Sequence, residues 1–182
     1  MSVWQRLSEI VRIESDWITL IAERWLCDED EELEYWRVEK ADSVIVLPVQ
    51  NGQLLCARPV FRPGIERATL DFPGGRLQKG KTPDEMVAPI LMRELGMPIT
   101  AVMQTKPLNQ KPSVINSAFA NQRLWPFVAK IDPKCCLPED RVGFRVSATE
   151  DDVRRLLEVL DCLQCRAVLM KWTNSESRVL SG

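Results

Sequence analysis

Apolar residues at Val3, Trp4, Leu7, Ile10 and Val11 fall on one helical face, a spacing that predicts a short amphipathic helix from Val3 to Val11. The stretch from Trp17 to Leu26 is mostly apolar and β-rich and predicts a strand. The acidic run Cys27 to Glu34 reads as a solvated hairpin turn, and Tyr35 to Glu39 as the returning strand. Ser43 to Val49 and Gln53 to Arg58 are apolar runs flanking Asn51-Gly52, a strong two-residue hairpin signal. A further strand is expected from Ala68 to Phe72, ending at Pro73-Gly74-Gly75. Thr82-Pro83-Asp84-Glu85 then supplies an N-cap, a proline at the first helical position and a capping-box glutamate. That helix is expected to run to Leu95, with Gly96 and Pro98 ending it.

The second half predicts a strand over Ile99 to Gln104, a polar loop over Lys106 to Asn116 and a strand over Leu124 to Ile131. Pro126 predicts an edge position or a bulge for that strand, because proline cannot donate to a ladder. A loop from Asp132 to Asp140 and a strand from Val142 to Val146 follow. Thr149-Glu150-Asp151-Asp152 opens one helix, and Asp161 to Trp172 forms the last. Strands dominate the first part, with helices inserted and appended, so the expected class is α+β around a mixed sheet. Residues 1–40 form an N-terminal extension of helix and β-hairpin, and residues 41–182 the main domain.

The 182 residues, with 45% apolar and 27% charged side chains, suit a soluble chain able to bury a substantial core. A net charge of −2 argues against sequence-independent nucleic-acid binding, which needs a basic excess, so no DNA partner is expected. Histidine is absent, which removes Ser-His and Cys-His nucleophile pairs and His-ligated metal sites. No stretch approaches a membrane span and the N-terminus lacks an apolar signal core, so a cytoplasmic location is expected. The six cysteines are read as reduced thiols. Cys162-x-x-Cys165 with Cys135-Cys136 supplies four thiols for zinc, but vicinal cysteines are poor zinc spacing and the CxxC lies in an apolar helical pattern.

The order of strand, Asn-Gly hairpin, strand, Pro-Gly-Gly, capped helix and glycine resembles the Nudix hydrolases, in particular their ADP-ribose and nucleotide-sugar pyrophosphatase branch. The resemblance rests on Val44-Ile-Val-Leu-Pro-Val49, Leu54 to Arg58, Phe61-Arg62-Pro63-Gly64 and Thr69-Leu-Asp-Phe-Pro-Gly-Gly75, and covers most of residues 17–172. It implies an α/β/α sandwich around the mixed sheet. The family box is written G-x5-E-x7-R-E-U-x-E-E-x-G-U, with U a bulky apolar residue. With Gly75 as its first glycine, Gly96-Met97 and Leu91 fill their places. Lys81 replaces the first glutamate, Pro89 the arginine, Ile90 the next glutamate and Arg93 the first of the final pair, leaving Glu94. A second alignment takes Arg93-Glu94-Leu95 as the arginine-glutamate-apolar triplet, displaced by about one helical turn.

In the family, glutamates one turn apart hold divalent cations that neutralise a diphosphate and help generate the attacking hydroxide. With one surviving carboxylate, no firmly bound cofactor is expected, and Mg2+ or Mn2+ belongs only with residual hydrolase chemistry at Glu94, the candidate catalytic and metal residue. Asp84 and Glu85 are explained by the capping box. The resemblance makes Arg58, Arg62 and Asp71 candidate substrate contacts. Gly74 and Gly75 could bring backbone amides to a phosphate, with Arg76 and Lys81 as fixed cations beside them. Glu66-Arg67-Ala68-Thr69 carries no ring where the family often places an adenine-stacking aromatic, and Glu139 or Asp140 lies where a late-loop base can occur. For each of these residues, ordinary surface solvation is the alternative reading.

The expected function is therefore a Nudix-fold module that binds a nucleoside-diphosphate derivative or a protein, without standard metal-dependent hydrolysis. The alternative is a divergent pyrophosphohydrolase with an incomplete metal site. Trp4, Trp17, Trp25 and Trp36 cluster in the extension, which in related pyrophosphatases helps build a dimer, so a homodimer is expected.

Overall fold

The computed structural model describes residues 4–180, and the side chains of residues 4–175. The chain divides into two compact units, one of the residues up to Asp42 with Val114–Arg123, the other of Ser43–Ser113 with the residues from Leu124 onward.

The first unit is an antiparallel meander of β1 (Gln5–Glu14), β2 (Thr19–Leu26) and β3 (Glu32–Glu39). The segment Val114–Arg123 lies against β3, where the Val38 amide donates to Phe119 and the Asn121 amide donates back to Val38. The expected helix over Val3 to Val11 is thus a strand, and Val3 lies outside the described residues. The reason is visible in the register. The pairing of β1 with β2 slips between Arg6 and Ser8 and again between Glu9 and Val11. Each slip is a bulge that inserts one residue, Leu7 and then Ile10, and so stretches a two-residue alternation to an apparent spacing of three. A helical apolar pattern was mimicked by a doubly bulged strand. The returning strand also begins earlier than expected, at Glu32.

Arg6 and Arg37, from the strands flanking β2, both bond to Glu23, which is 0% exposed. The indole of Trp25 donates to the same carboxylate, and Arg37 also pairs with Glu39 at 2.6 Å. The Arg37 guanidinium first of all, with Arg6 adding to it, holds the Glu23 carboxyl well down, at about 2.

The second unit is built on a mixed sheet. Its central path is β10 (Ser113–Val114), β11 (Arg123–Ile131), β4 (Ser43–Gln50), β5 (Gln53–Ala57) and β12 (Val142–Ser147). β11 runs parallel to β4 from Leu124 opposite Ser43 to Lys130 opposite Val49. On its other edge, β4 changes partner along its length. Its end pairs with β5 through the Asn51-Gly52 turn, both of whose residues have positive φ as that turn requires. Its start pairs instead with β8 (Gly74–Arg76), placing Gly75 opposite Val44. The strand expected from Ala68 to Phe72 is only β7 (Arg67–Thr69), paired with β6 (Val60–Arg62). The strand expected from Ile99 begins as a 3-10 turn, Ile99–Ala101, before β9 (Val102–Pro107).

Pro126 does not mark an edge. β11 lies between β4 and β9, and the Pro126 carbonyl accepts from the Leu108 amide at 2.9 Å. The register with β9 starts one residue later, at Phe127 opposite Pro107, so the missing donor falls beyond the ladder.

Helix α1 (Pro83–Leu95) covers one face of this sheet. Its Met86, Val87, Ile90, Leu91 and Leu95 join Val44, Val46, Leu55 and Phe127 in the core. Alternate residues of β4, Ile45 and Leu47, are also buried, and α3 (Leu163–Leu180) packs on β4 while α2 (Glu150–Val159) packs on β12. β4 is therefore covered on both faces, as its unbroken apolar run requires. The second unit is an α+β arrangement of a mixed sheet between helices, as the sequence led one to expect. Among the described residues no helix is long and apolar enough to cross a membrane.

Candidate functional site at the glycine turn and helix

The helix begins as its sequence dictates. The Glu85 amide donates to Thr82 Oγ1 at 3.4 Å, and the Thr82 amide donates to Glu85 Oε2 at 2.7 Å. Those bonds from Thr82 lower the Glu85 carboxyl below its ordinary value. Lys81 Nζ stands 3.6 Å from Glu85 Oε1, so this lysine is paired with the cap. Pro89 sits within the helix, which nevertheless runs on to Leu95, where Gly96 closes it in a left-handed conformation. The proline removes one amide donor without ending the element.

The other end of α1 meets β8 closely. A side chain on Gly75 would put its Cβ 3.0 Å from Arg93 Nη2 and 3.3 Å from Ile90 Cγ1. A Cβ here would press on these two side chains and make them give by a few tenths of an ångström. Across this contact Arg93 Nη2 donates to the Gly74 carbonyl at 2.6 Å, and Arg93 Nε donates to Glu94 Oε1 at 2.7 Å. One guanidinium thus bridges the glycine turn and the Glu94 carboxylate. Arg141 Nη1 reaches the Arg93 carbonyl at 3.5 Å.

The donor set does not fit the divalent cations that the fold family uses. Ile90 is 0% exposed and belongs to the core rather than to a solvent-facing site. Glu94 lies nine positions after Glu85, which on an α-helix is about 13 Å along the axis and on the opposite side. The two acids cannot share an ion. The oxygens that remain near one another, Glu94 Oε1 and the Gly74 carbonyl, both accept from Arg93. A cation added there would face a fixed positive charge within a few ångströms.

The other candidates fall into separate groups. Arg62 binds Asp71 Oδ2 through Nε at 3.1 Å and Nη2 at 2.6 Å, and Thr69 Oγ1 donates to the same oxygen at 3.0 Å. Arg58 Nη1 donates instead to the Asp140 carbonyl at 3.2 Å. Arg76 is exposed on β8 next to the glycine turn. Gly74, Gly75, Arg76, Arg93 and Glu94 are therefore brought together, Arg62 and Asp71 form a pair, and Lys81 belongs to the helix cap. Two open cavities lie elsewhere, one of about 480 Å3 beside Leu70, Phe144, Arg155 and Asp161, the other of about 710 Å3 beside Asn109, Lys111 and Lys171.

Two features escaped the sequence. Arg93 reads as a lost glutamate or, in the second alignment, as the arginine of a displaced triplet, and neither reading foresees its bond to Gly74; its spacing of three from Ile90 is the available sign that it shares the side facing Gly75. Cys162-x-x-Cys165 read as part of an apolar helix or, with Cys135-Cys136, as four zinc thiols. Among the described residues, the group of three that could hold a metal is Asp71, Cys162 and Cys165, and it does not include the vicinal pair.

No protein-family model matches the chain, and no curated protein matches it. Among solved structures, a crystal structure of an ADP compounds hydrolase superposes with a TM-score of 0.75 at 16% identity, covering 98% of each chain. The likeness is one of fold, and it identifies the mixed sheet and its three helices as Nudix-like.

Proposed function

We propose that this chain is a Nudix-fold binding module for a nucleoside-diphosphate derivative, and that it has lost the family's metal-dependent hydrolysis. The observation that carries the reading is the Arg93 guanidinium, bonded to both the Gly74 carbonyl and Glu94 where carboxylates and metal would otherwise meet. A guanidinium has five N–H groups in a planar fork suited to phosphate oxygens. Arg93 spends some of them on its two internal partners, and its side chain remains 55% exposed. With Arg76 on the adjacent strand, it offers fixed positive charge beside the backbone of Gly74 and Gly75. The solved ADP compounds hydrolase of like fold supports the choice of ligand class.

Titration calorimetry against ADP-ribose and nucleotide sugars in chelator should show saturable binding. Arg93→Ala should weaken it about tenfold, the loss of one charge-assisted contact. Magnesium or manganese should add no turnover. Absence of binding in chelator, or metal-dependent release of products abolished by Glu94→Gln, overturns the reading.

We further propose that the protein works as a homodimer through its first unit, a reading supported by Leu7, Ile10, Ile13, Trp17 and Trp36, which stand exposed there. Light scattering at micromolar concentration should give twice the chain mass, and a single-chain mass counts against it.

A further inference from the structure

Cys162 immediately precedes α3, and its carbonyl accepts the Arg166 amide at 3.0 Å as the first turn closes. Cys165 lies one turn further on and is 2% exposed, whereas Cys162 is half-buried. Positions three apart on a helix bring Cβ atoms to about 5–6 Å, and a disulfide needs only a small further approach. The two sulfurs and a carboxylate oxygen of Asp71 all lie within 4.8 Å of one another. Cys165 Sγ donates to Asp71 Oδ1 at 3.7 Å, while Asp71 Oδ2 is already held by Arg62 and Thr69. A half-buried thiol at a helix N-terminus, a buried thiol one turn on and a carboxylate are thus clustered.

We propose that Cys162 and Cys165 form a redox-active dithiol, oxidised to an intramolecular disulfide by exchange with a low-molecular-weight disulfide, with Asp71 as proton acceptor for the inner thiol. The Cys162 thiolate attacks a sulfur of the small disulfide, forming a mixed disulfide and releasing one thiolate. Cys165 gives its proton to Asp71 and attacks the Cys162 sulfur, which releases the second thiolate. Asp71 then returns the proton to the departing thiolate. The protein loses two electrons and the small disulfide gains them. The neighbouring Cys165 thiol, with the Cys165 and Gln164 amides, holds the Cys162 thiol down at about 6. The Cys165 thiol is pushed up by the adjacent Cys162 and by burial, so it keeps its proton until the mixed disulfide forms. A structural zinc ion fits less well, since it needs two thiolates and a fourth ligand, and Asp71 is already engaged.

The test uses the full chain in graded mixtures of reduced and oxidised glutathione, quenched in acid, alkylated and mapped by peptide mass spectrometry. The expected result is a reversible Cys162–Cys165 disulfide, lost on return to reduced glutathione. Cys165→Ser should instead trap a glutathione adduct on Cys162. In the reduced wild type near pH 7, Cys162 should be alkylated about two- to threefold faster than the exposed Cys136, its larger thiolate fraction being partly offset by the lower nucleophilicity of that thiolate. Failure of the pair to oxidise in any mixture, oxidation confined to Cys135 and Cys136, or thiols protected by stoichiometric bound zinc overturns the proposal. None of these readouts depends on diphosphate binding.

Discussion

Ile90→Glu, which places a carboxylate where the proposed alignment expects one, should cost at least about 4 kcal/mol of stability rather than create a metal site. Ile90 is fully buried among Met86, Val87, Leu91 and Leu95 of its own helix and the sheet residues Val44, Val46 and Phe127. Removing the alkyl group from this core forfeits about 2–3 kcal/mol of apolar transfer. Placing a carboxyl there adds the cost of a polar group without a partner, and more if it ionises. The midpoint of thermal unfolding should fall by about 10 °C for a chain of this size. Burial would raise the introduced carboxyl above its unfolded value. Its penalty should therefore be smaller below that unfolded value and grow as pH rises towards neutrality. Ile90→Val keeps the apolar contact and should lose only about 0.5–1.5 kcal/mol. Thermal melts of the three proteins at acidic and neutral pH decide the matter. A wild-type midpoint for Ile90→Glu would show that this helix face does not pack as described.

The second large effect concerns the first unit. Glu23 has no exposed surface and accepts from Arg6, Arg37 and Trp25, with its carboxyl held at about 2. A carboxyl whose folded value lies below its unfolded one stabilises the fold above the unfolded value, about 4.5, and loses that contribution as pH falls towards 2. Glu23→Gln should thus be less stable than the parent at pH 7 by about 2 kcal/mol, discounted because Arg6 is half exposed. The difference should shrink through the range from about 5 to about 2. Urea titrations of both proteins across that range measure it directly. A pH-independent gap would mean that the ion network contributes no charge-linked stability.

What could be read from the chain alone was whatever closes within a few residues. Asn51-Gly52 forms its hairpin because both positions accept positive φ. Thr82 and Glu85 form their capping box because the two bonds join residues three apart. The extension misled because a bulge is settled by the partner strand, and nothing local in Leu7 or Ile10 announces that it will be an extra residue. Pro126 misled because whether a missing donor matters depends on where the β9 ladder stops.

For the site, the sequence by itself determined the shortage of carboxylates and the glycine turn. Only the tertiary structure decided what took their place. The Arg93 bond to Gly74 joins residues nineteen apart, and the contact of Cys165 with Asp71 joins residues ninety-four apart. Such pairings follow from how α1 and α3 pack on opposite faces of β4, and the free energy that fixes them is spread over the whole core rather than encoded in either partner.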